Sequence, residues 1–134
     1  MSTYAQLRLA AEAYAVPIDN VMEIASLGDL TTVPGARPEI LGVRNLRGQI
    51  LPVIDLAQLL GLNPVTPPTK LLVAESGSIT AGLAIDEVTH VGELPDLSEG
   101  AESEFLLGTM IHDGELLAVI DVPRIFNSLQ PAEV

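Results

Sequence analysis

Gly48-Gln-Ile-Leu-Pro-Val-Ile-Asp-Leu-Ala-Gln-Leu-Leu-Gly61 matches Gly114-Glu-Leu-Leu-Ala-Val-Ile-Asp-Val-Pro-Arg-Ile-Phe-Asn127 almost without chemical conflict, 66 positions on (48 to 114). Upstream, Val16-Pro-Ile-Asp-Asn-Val-Met-Glu-Ile24 matches Leu83-Ala-Ile-Asp-Glu-Val-Thr-His-Val91, 67 positions on (16 to 83). Further back, Leu7-Arg-Leu-Ala10 resembles Leu71-Leu-Val-Ala74. Three blocks in the same order at near-constant spacing mark an internal duplication. They predict two similar halves, about 4–66 and 67–130.

Each half reads mainly as strand. Gln6–Ala10 with Glu12–Pro17 is a predicted hairpin, and so is Lys70–Glu75 with Thr80–Ile85 around Ser76-Gly77-Ser78. Gly42–Asn45 and Ile50–Ile54 flank the turn Leu46-Arg47-Gly48-Gln49, and Thr109–His112 and Leu116–Ile120 flank Asp113-Gly114, a pair that favours a tight hairpin turn. Short helices, Leu56–Leu60 and Val122–Leu129, are expected to close the halves. Asp55 and Asp121 stand at equivalent positions before them. Two carboxylates related by duplication would suit a hydrolase in which a pair of acids shares a proton. Helix capping is the stronger reading, with Gln58 placed as in a capping box and Pro123 suited to a first turn. Neither acid is followed by the Thr-Gly or Ser-Gly of such hydrolases.

Pro64-Val-Thr-Pro-Pro68 is a stiff junction, too short to part independent domains, and halves of about 65 residues would be marginal alone. A core shared across a pseudo-twofold is therefore expected, within a single domain over 1–134. Residues 95–104, rich in Glu and Ser, read as a solvated, mobile loop.

With 134 residues and 48% apolar side chains but few aromatics, the core must be built from Val, Ile, Leu and Ala. The net charge of −12, with Lys70 the single lysine, argues against binding nucleic acid or anionic lipid. Of the other cations, Arg37, Arg44 and Arg47 fall in one short stretch. The absence of cysteine excludes disulfides and thiolate chemistry and suits a reducing compartment. No signal-peptide pattern and no apolar run of roughly 18–20 residues is present, so a cytoplasmic location is expected.

No phosphate loop, nucleophile elbow or zinc motif occurs, and His90 and His112 have no second ligand at metal-binding spacing. The informative difference lies between the two copies of one hairpin. The first reads Gly42-Val-Arg-Asn-Leu-Arg-Gly48 and the second Gly108-Thr-Met-Ile-His-Asp-Gly114. A duplicated frame needs its glycines twice; it does not need Asn45, Leu46 and Arg47, which occur once. Arg47 at a turn can present its planar donors to a partner's carboxylate or carbonyl, or pair with a local acid such as Glu23. The second role can orient the first.

Pro38-Glu-Ile-Leu-Gly-Val-Arg-Asn-Leu-Arg-Gly-Gln-Ile-Leu-Pro-Val-Ile-Asp-Leu56 resembles the signature of the CheW family, whose signature helix is followed by Asn-Leu-Arg-Gly, an apolar strand and Asp-Leu. Tyr14–Ile24 and Gly82–Val88 are similar to the family's first-half and second-half patterns, and the resemblance runs over roughly 4–129. It implies a mainly β fold of two pseudo-symmetric SH3-like five-stranded β-barrels sharing a hydrophobic core, with short helices. The implied function is that of a non-catalytic adaptor without cofactor or metal. Its implied partners are the regulatory domain of the histidine kinase CheA, the cytoplasmic tip of methyl-accepting chemotaxis receptors, and other CheW copies in arrays. Carried over residue by residue, the receptor groove would involve Val21, Gly42, Asn45, Arg47, Val88 and Val91, with Glu23 paired to Arg47. A scaffold of another chemosensory pathway, such as twitching motility, and more remotely an Asp-dependent hydrolase are the alternatives.

Overall fold

The computed structural model describes residues 1–64, 66–101 and 103–129. Val65 of the proline junction, Glu102 of the acidic loop and Gln130 at the end of the second half lie outside the described residues. The first half contributes β1 (Ser2–Leu9), β2 (Glu12–Pro17), a 3-10 turn (Ile18–Asn20), β3 (Val21–Ser26), β4 (Ile40–Leu46), β5 (Gln49–Asp55) and α1 (Leu56–Leu59). The second repeats the plan with β6 (Lys70–Ser76), β7 (Ile79–Ile85), β8 (Glu87–Leu94), β9 (Leu106–His112), β10 (Glu115–Ile120) and α2 (Val122–Leu129).

The strands form two five-stranded sheets, ordered β8-β1-β2-β10-β9 and β3-β6-β7-β5-β4. Replacing each strand by its repeat-mate converts one order into the other, which is the expected pseudo-twofold. The expected boundary between subdomains is not where the sheets divide, however. Each sheet takes its central hairpin from one half and its other three strands from the other half, so 4–66 and 67–130 delimit the repeat and not the barrels. The 3-10 turn after β2 and the single residue Asp86 after β7 carry the chain from one sheet to the other. The seams between halves include the two parallel pairs, β10 with β2 and β5 with β7.

The registers sharpen the repeat. Leu7 pairs with Tyr14 in one central hairpin and Ala74 with Ala81 in the other, so Leu7 is equivalent to Ala74, 67 positions on. The sequence match of Leu7–Ala10 to Leu71–Ala74 is therefore three residues out of register. Apolar similarity misled there because β6 is covered on both faces, and such a strand reads as a continuous apolar run without a phase. Leu72 and Ala74 face the cluster shared between the sheets, whereas Leu71 and Val73 face the interior of their own barrel.

Three apolar clusters result. The largest lies between the sheets and takes Leu7, Leu9, Tyr14 and Val16 from the first half and Leu83, Ile120 and Phe126 among others from the second. Smaller ones fill each barrel, around Met110, Leu117 and Val119 on one side and Leu51, Val53 and Leu71 on the other. No polar or charged residue is fully buried among the described residues. Barrel curvature comes from the loops that follow β3 and β8, which pair back on the edge strands through Thr31–Val43 and Glu99–Thr109. Gly42 and Gly108 permit this approach, since a Cβ at either would fall 2.5 Å from the carbonyl oxygen of Thr31 or Glu99.

Two expectations are corrected here. No helix opens at Pro38. The Ile40 N–H donates to the Arg37 carbonyl (2.9 Å), and β4 starts at Ile40. Three residues between Pro38 and the buried Gly42 are too few to offset the cost of nucleating a helix. The acidic loop is no free excursion either: the N–H groups of Ser98 and Glu99 donate to the Thr109 carbonyl (2.8 and 3.3 Å), and the Thr109 N–H donates to Glu99 (2.9 Å).

Candidate functional site

The hairpin β4–β5 closes on two residues, because Leu46 pairs with Gln49. Such a loop matches the twist of its strands when both central residues have positive φ, and Arg47 (51°) and Gly48 (84°) do. An arginine is an unusual choice for the first position, where Asn or Asp is preferred. Asp113 (52°) and Gly114 (76°) fill the equivalent loop in the other sheet. Asn45 supplies what Arg47 lacks, since its Oδ1 accepts from the Gly48 N–H (3.0 Å) and ties the turn together. That leaves the Asn45 NH2 group as the part it can offer outward.

Arg47 reaches back across the mouth of the barrel and forms an ion pair with Glu23 on β3, the opposite edge of the same sheet. Its side chain is 69% exposed and that of Glu23 is 32% exposed. A pair this open to water is worth about 0–1 kcal/mol. Its consequence is orientation, holding one face of a long guanidinium while the other remains free. The duplicated frame does not build this pair twice. Glu23 corresponds to His90 and Arg47 to Asp113, which reverses the sense of the charges, and Asp113 instead lies 3.4 Å from its neighbour His112.

The structure thus brings Glu23, Asn45 and Arg47 together. Val21 stands on β3 and Val88 on β8, at equivalent positions, both half-buried against the cluster between the sheets. Val91 lies further along β8 and is 53% exposed. Val88 and Val91 belong to the other sheet, flanking the seam and not the hairpin tip. Gly42 is buried, and its visible work is the close approach of Thr31. The three clustered arginines make no common patch. Arg37 donates to the Ser128 carbonyl at the end of α2 (2.8 Å), Arg44 to the Leu27 carbonyl (2.9 Å), and Arg47 to Glu23.

Exposed apolar side chains on the two strands that carry Glu23 and face Asn45 were not anticipated. Met22 and Ile24 on β3 and Ile50 on β5 are 51%, 41% and 59% exposed. Ile50 and Asn45 are cross-strand partners and line one surface hollow. The repeat could have flagged Ile24, because it is the counterpart of Val91 at a spacing of 67.

Asp55 and Asp121 cap their helices, accepting from the Gln58 N–H (3.2 Å) and the Arg124 N–H (3.1 Å). The reciprocal half of a capping box is absent, because the Asp55 N–H donates to the Glu39 carbonyl (2.7 Å). The two acids line separate surface hollows, so they do not form a proton-sharing pair. Among the described residues no group of His, Cys, Asp and Glu could hold a metal ion, and no helix is long and apolar enough to cross a membrane.

A family model described as CheW-like domain matches residues 3–130. The chain is 31% identical over 132 residues to the chemotaxis protein CheW of Thermotoga maritima, covering 91% of this chain and 85% of that one. It is 35% identical over 113 residues to the protein FrzA of Myxococcus xanthus, covering 78% and 71%. The crystal structure of the scaffolding protein TtCheW from Thermoanaerobacter tengcongensis superposes with a TM-score of 0.82 at 25% identity, over 90% of this chain and 89% of that one.

Proposed function

This chain belongs to the CheW-like domain family, and on that premise we propose that it is a non-catalytic cytoplasmic adaptor coupling methyl-accepting chemoreceptors to the histidine kinase CheA in chemotaxis signal transduction. The observation that carries the reading is an asymmetry. Two hairpins with the same backbone occupy equivalent places in the two sheets, and one alone bears an exposed Asn–Arg pair braced by Glu23. Folding does not require that difference, so a partner is its natural explanation. Ile50 stands across the strands from Asn45, and Met22 and Ile24 flank Glu23 along β3, all three exposed. A receptor tip is a helical hairpin. Its apolar side chains can lie on such a surface while Arg47 and the Asn45 amide meet carboxylates and carbonyls at the rim. Edge strands β9 and β4 offer faces for a kinase regulatory domain or further copies of the chain. Weak single contacts suffice where an array multiplies them.

The test is a pull-down of the ternary complex with the kinase regulatory domain and a receptor-tip fragment. Arg47→Ala should weaken capture by about tenfold, the loss of roughly 1–2 kcal/mol expected for an interface arginine, and should leave the unfolding temperature unchanged. An unaltered ternary complex would remove the hairpin from the interface. The similarity to FrzA supports a second reading, a scaffold of another chemosensory pathway using the same surface. Which kinase regulatory domain from the same genome binds more tightly decides between them.

A further inference from the structure

Arg44 stands where the fold places a core side chain. Its counterpart 66 positions on is Met110, 1% exposed inside the other barrel. The cross-strand partners agree: Arg44 opposes Leu51 and Met110 opposes Leu117, both buried. Residues directly opposite one another share a face of the sheet, so the stem of Arg44 enters the barrel mouth beside Leu51. Its charged head must find its way out.

The path it takes leads to the hook. Nε donates to the Leu27 carbonyl (2.9 Å), and Nη1 donates to the carbonyl of Asn45. Gly28 makes room, with a φ of +68° and no side chain; a Cβ there would fall 2.5 Å from the Arg44 Nε. Since Leu46 and Gln49 close the two-residue loop, the next pair, Asn45 with Ile50, is a non-hydrogen-bonded one. The Asn45 carbonyl therefore faces away from β5, off the open edge of β4. Arg44 satisfies that carbonyl and ties it to the loop after β3, the strand that carries Glu23.

We propose that Arg44 is a positioning residue of the docking hairpin, fixing its tip so that Arg47 meets Glu23 and the Asn45 amide faces the partner in one preset geometry. This rests on the adaptor reading and adds to it a residue that the family resemblance did not supply. A planar fork is needed, because one point donor cannot serve both the Leu27 and Asn45 carbonyls in fixed directions. Preorganisation of this kind raises affinity by removing the ordering cost at the moment of binding.

The experiment measures binding of the full chain to the kinase regulatory domain and to a receptor-tip fragment by titration calorimetry. Arg44→Met, which installs the residue of the other copy, should fold and bind roughly five- to tenfold more weakly, the scale of ordering a few side chains. Arg44→Lys, which keeps the charge, should bind as weakly as Arg44→Met. Gly28→Ala, 16 positions away, should weaken binding by displacing the guanidinium, and it carries the test if Arg44→Met does not fold. Arg47→Ala should cost less in the Arg44→Met background than alone, a coupling that a purely structural role would not produce. Wild-type binding by both Arg44→Met and Gly28→Ala, with Arg47→Ala still defective, overturns the positioning role and leaves the adaptor reading standing. Wild-type binding by Arg44→Lys beside a defective Arg44→Met reduces the effect to charge and also overturns it. Wild-type binding by Arg47→Ala overturns the docking hairpin itself, and this inference with it.

Discussion

Cutting the chain between residues 66 and 67 should yield two fragments that are unfolded apart and folded together. The expectation follows from the exchanged hairpins. Four of the eight strand ladders, β1 with β8, β2 with β10, β3 with β6 and β5 with β7, join one half to the other. Alone, either half keeps a central hairpin with bare edges and three strands without their centre. The first half contributes Leu7, Leu9, Tyr14, Val16, Ile54 and Leu56 to the cluster between the sheets. At about 1.5–3 kcal/mol for each buried side chain, these six represent roughly 9–18 kcal/mol that exists only with the second half present. The second half stands to lose at least as much through Leu72, Leu83, Ile85, Ile120, Val122, Ile125 and Phe126. Association of separate chains costs about 4–15 kcal/mol and ordering two unfolded fragments costs conformational entropy besides, so the halves should form a complex much weaker than this burial alone implies. Circular dichroism of fragments 1–66 and 67–134 should show little ordered sheet in either and recovery on equimolar mixing, saturating at one to one. A cooperative melting transition in either fragment alone would refute the exchanged topology. It would instead restore two barrels contiguous in sequence.

Asp55→Ala and Asp121→Ala should each lower unfolding free energy by about 1 kcal/mol, the usual value of a lost helix cap, while the Asn variants should be nearly neutral because Asn also caps; urea titration distinguishes these outcomes, and an Asn variant as unstable as Ala would contradict capping. Tyr14 gives a pH signature. Burial first, and then its hydrogen bond to Glu12 (3.0 Å) and the charge of that carboxylate, push its hydroxyl from the ordinary 10.0 up to about 12. Between those values the folded chain holds more protons than the unfolded one, so this stabilisation is complete below pH 10 and lost as the pH rises towards 12. The loss is smaller than the roughly 2–3 kcal/mol that the whole shift would represent, because water screens the hydroxyl beside the exposed Glu12. Urea midpoints measured from pH 9 to 12 should fall less steeply for Tyr14→Phe, and equal slopes would show that Tyr14 does not govern alkaline stability.

Much of the site was legible in the chain because the signals are local. The Leu46–Gln49 turn, the Asp113-Gly114 turn and the two aspartate caps each follow from a few adjacent residues, whereas β3 and β8 were not delimited and β4 and β9 begin two to three residues earlier than expected. The singularity of Asn45 and Arg47 needed only a comparison of two copies. The meeting of Arg47 with Glu23 was open to guessing from charge, but its geometry depends on barrel curvature that brings β3 towards β4. Arg44 was read simply as one cation in a cluster. Nothing adjacent to it in sequence announces that its neighbours face a barrel mouth, or that Gly28 clears space for its guanidinium.

The sequence by itself determined the duplication, the main hairpins and their turns, and the hairpin that differs between copies; the core is mainly aliphatic as expected but also takes in Tyr4, Tyr14, Met110 and Phe126. Only the tertiary structure decided that each central hairpin crosses to the other sheet, that Leu7 answers to Ala74, and that Pro38 lies in a turn leading into β4 at Ile40 and not in a helix. The physical reason is that local patterns encode period and turn geometry, which neighbouring residues fix among themselves. The choice of strand partner is made by burial between distant segments, and two near-identical halves present the same apolar faces to either candidate.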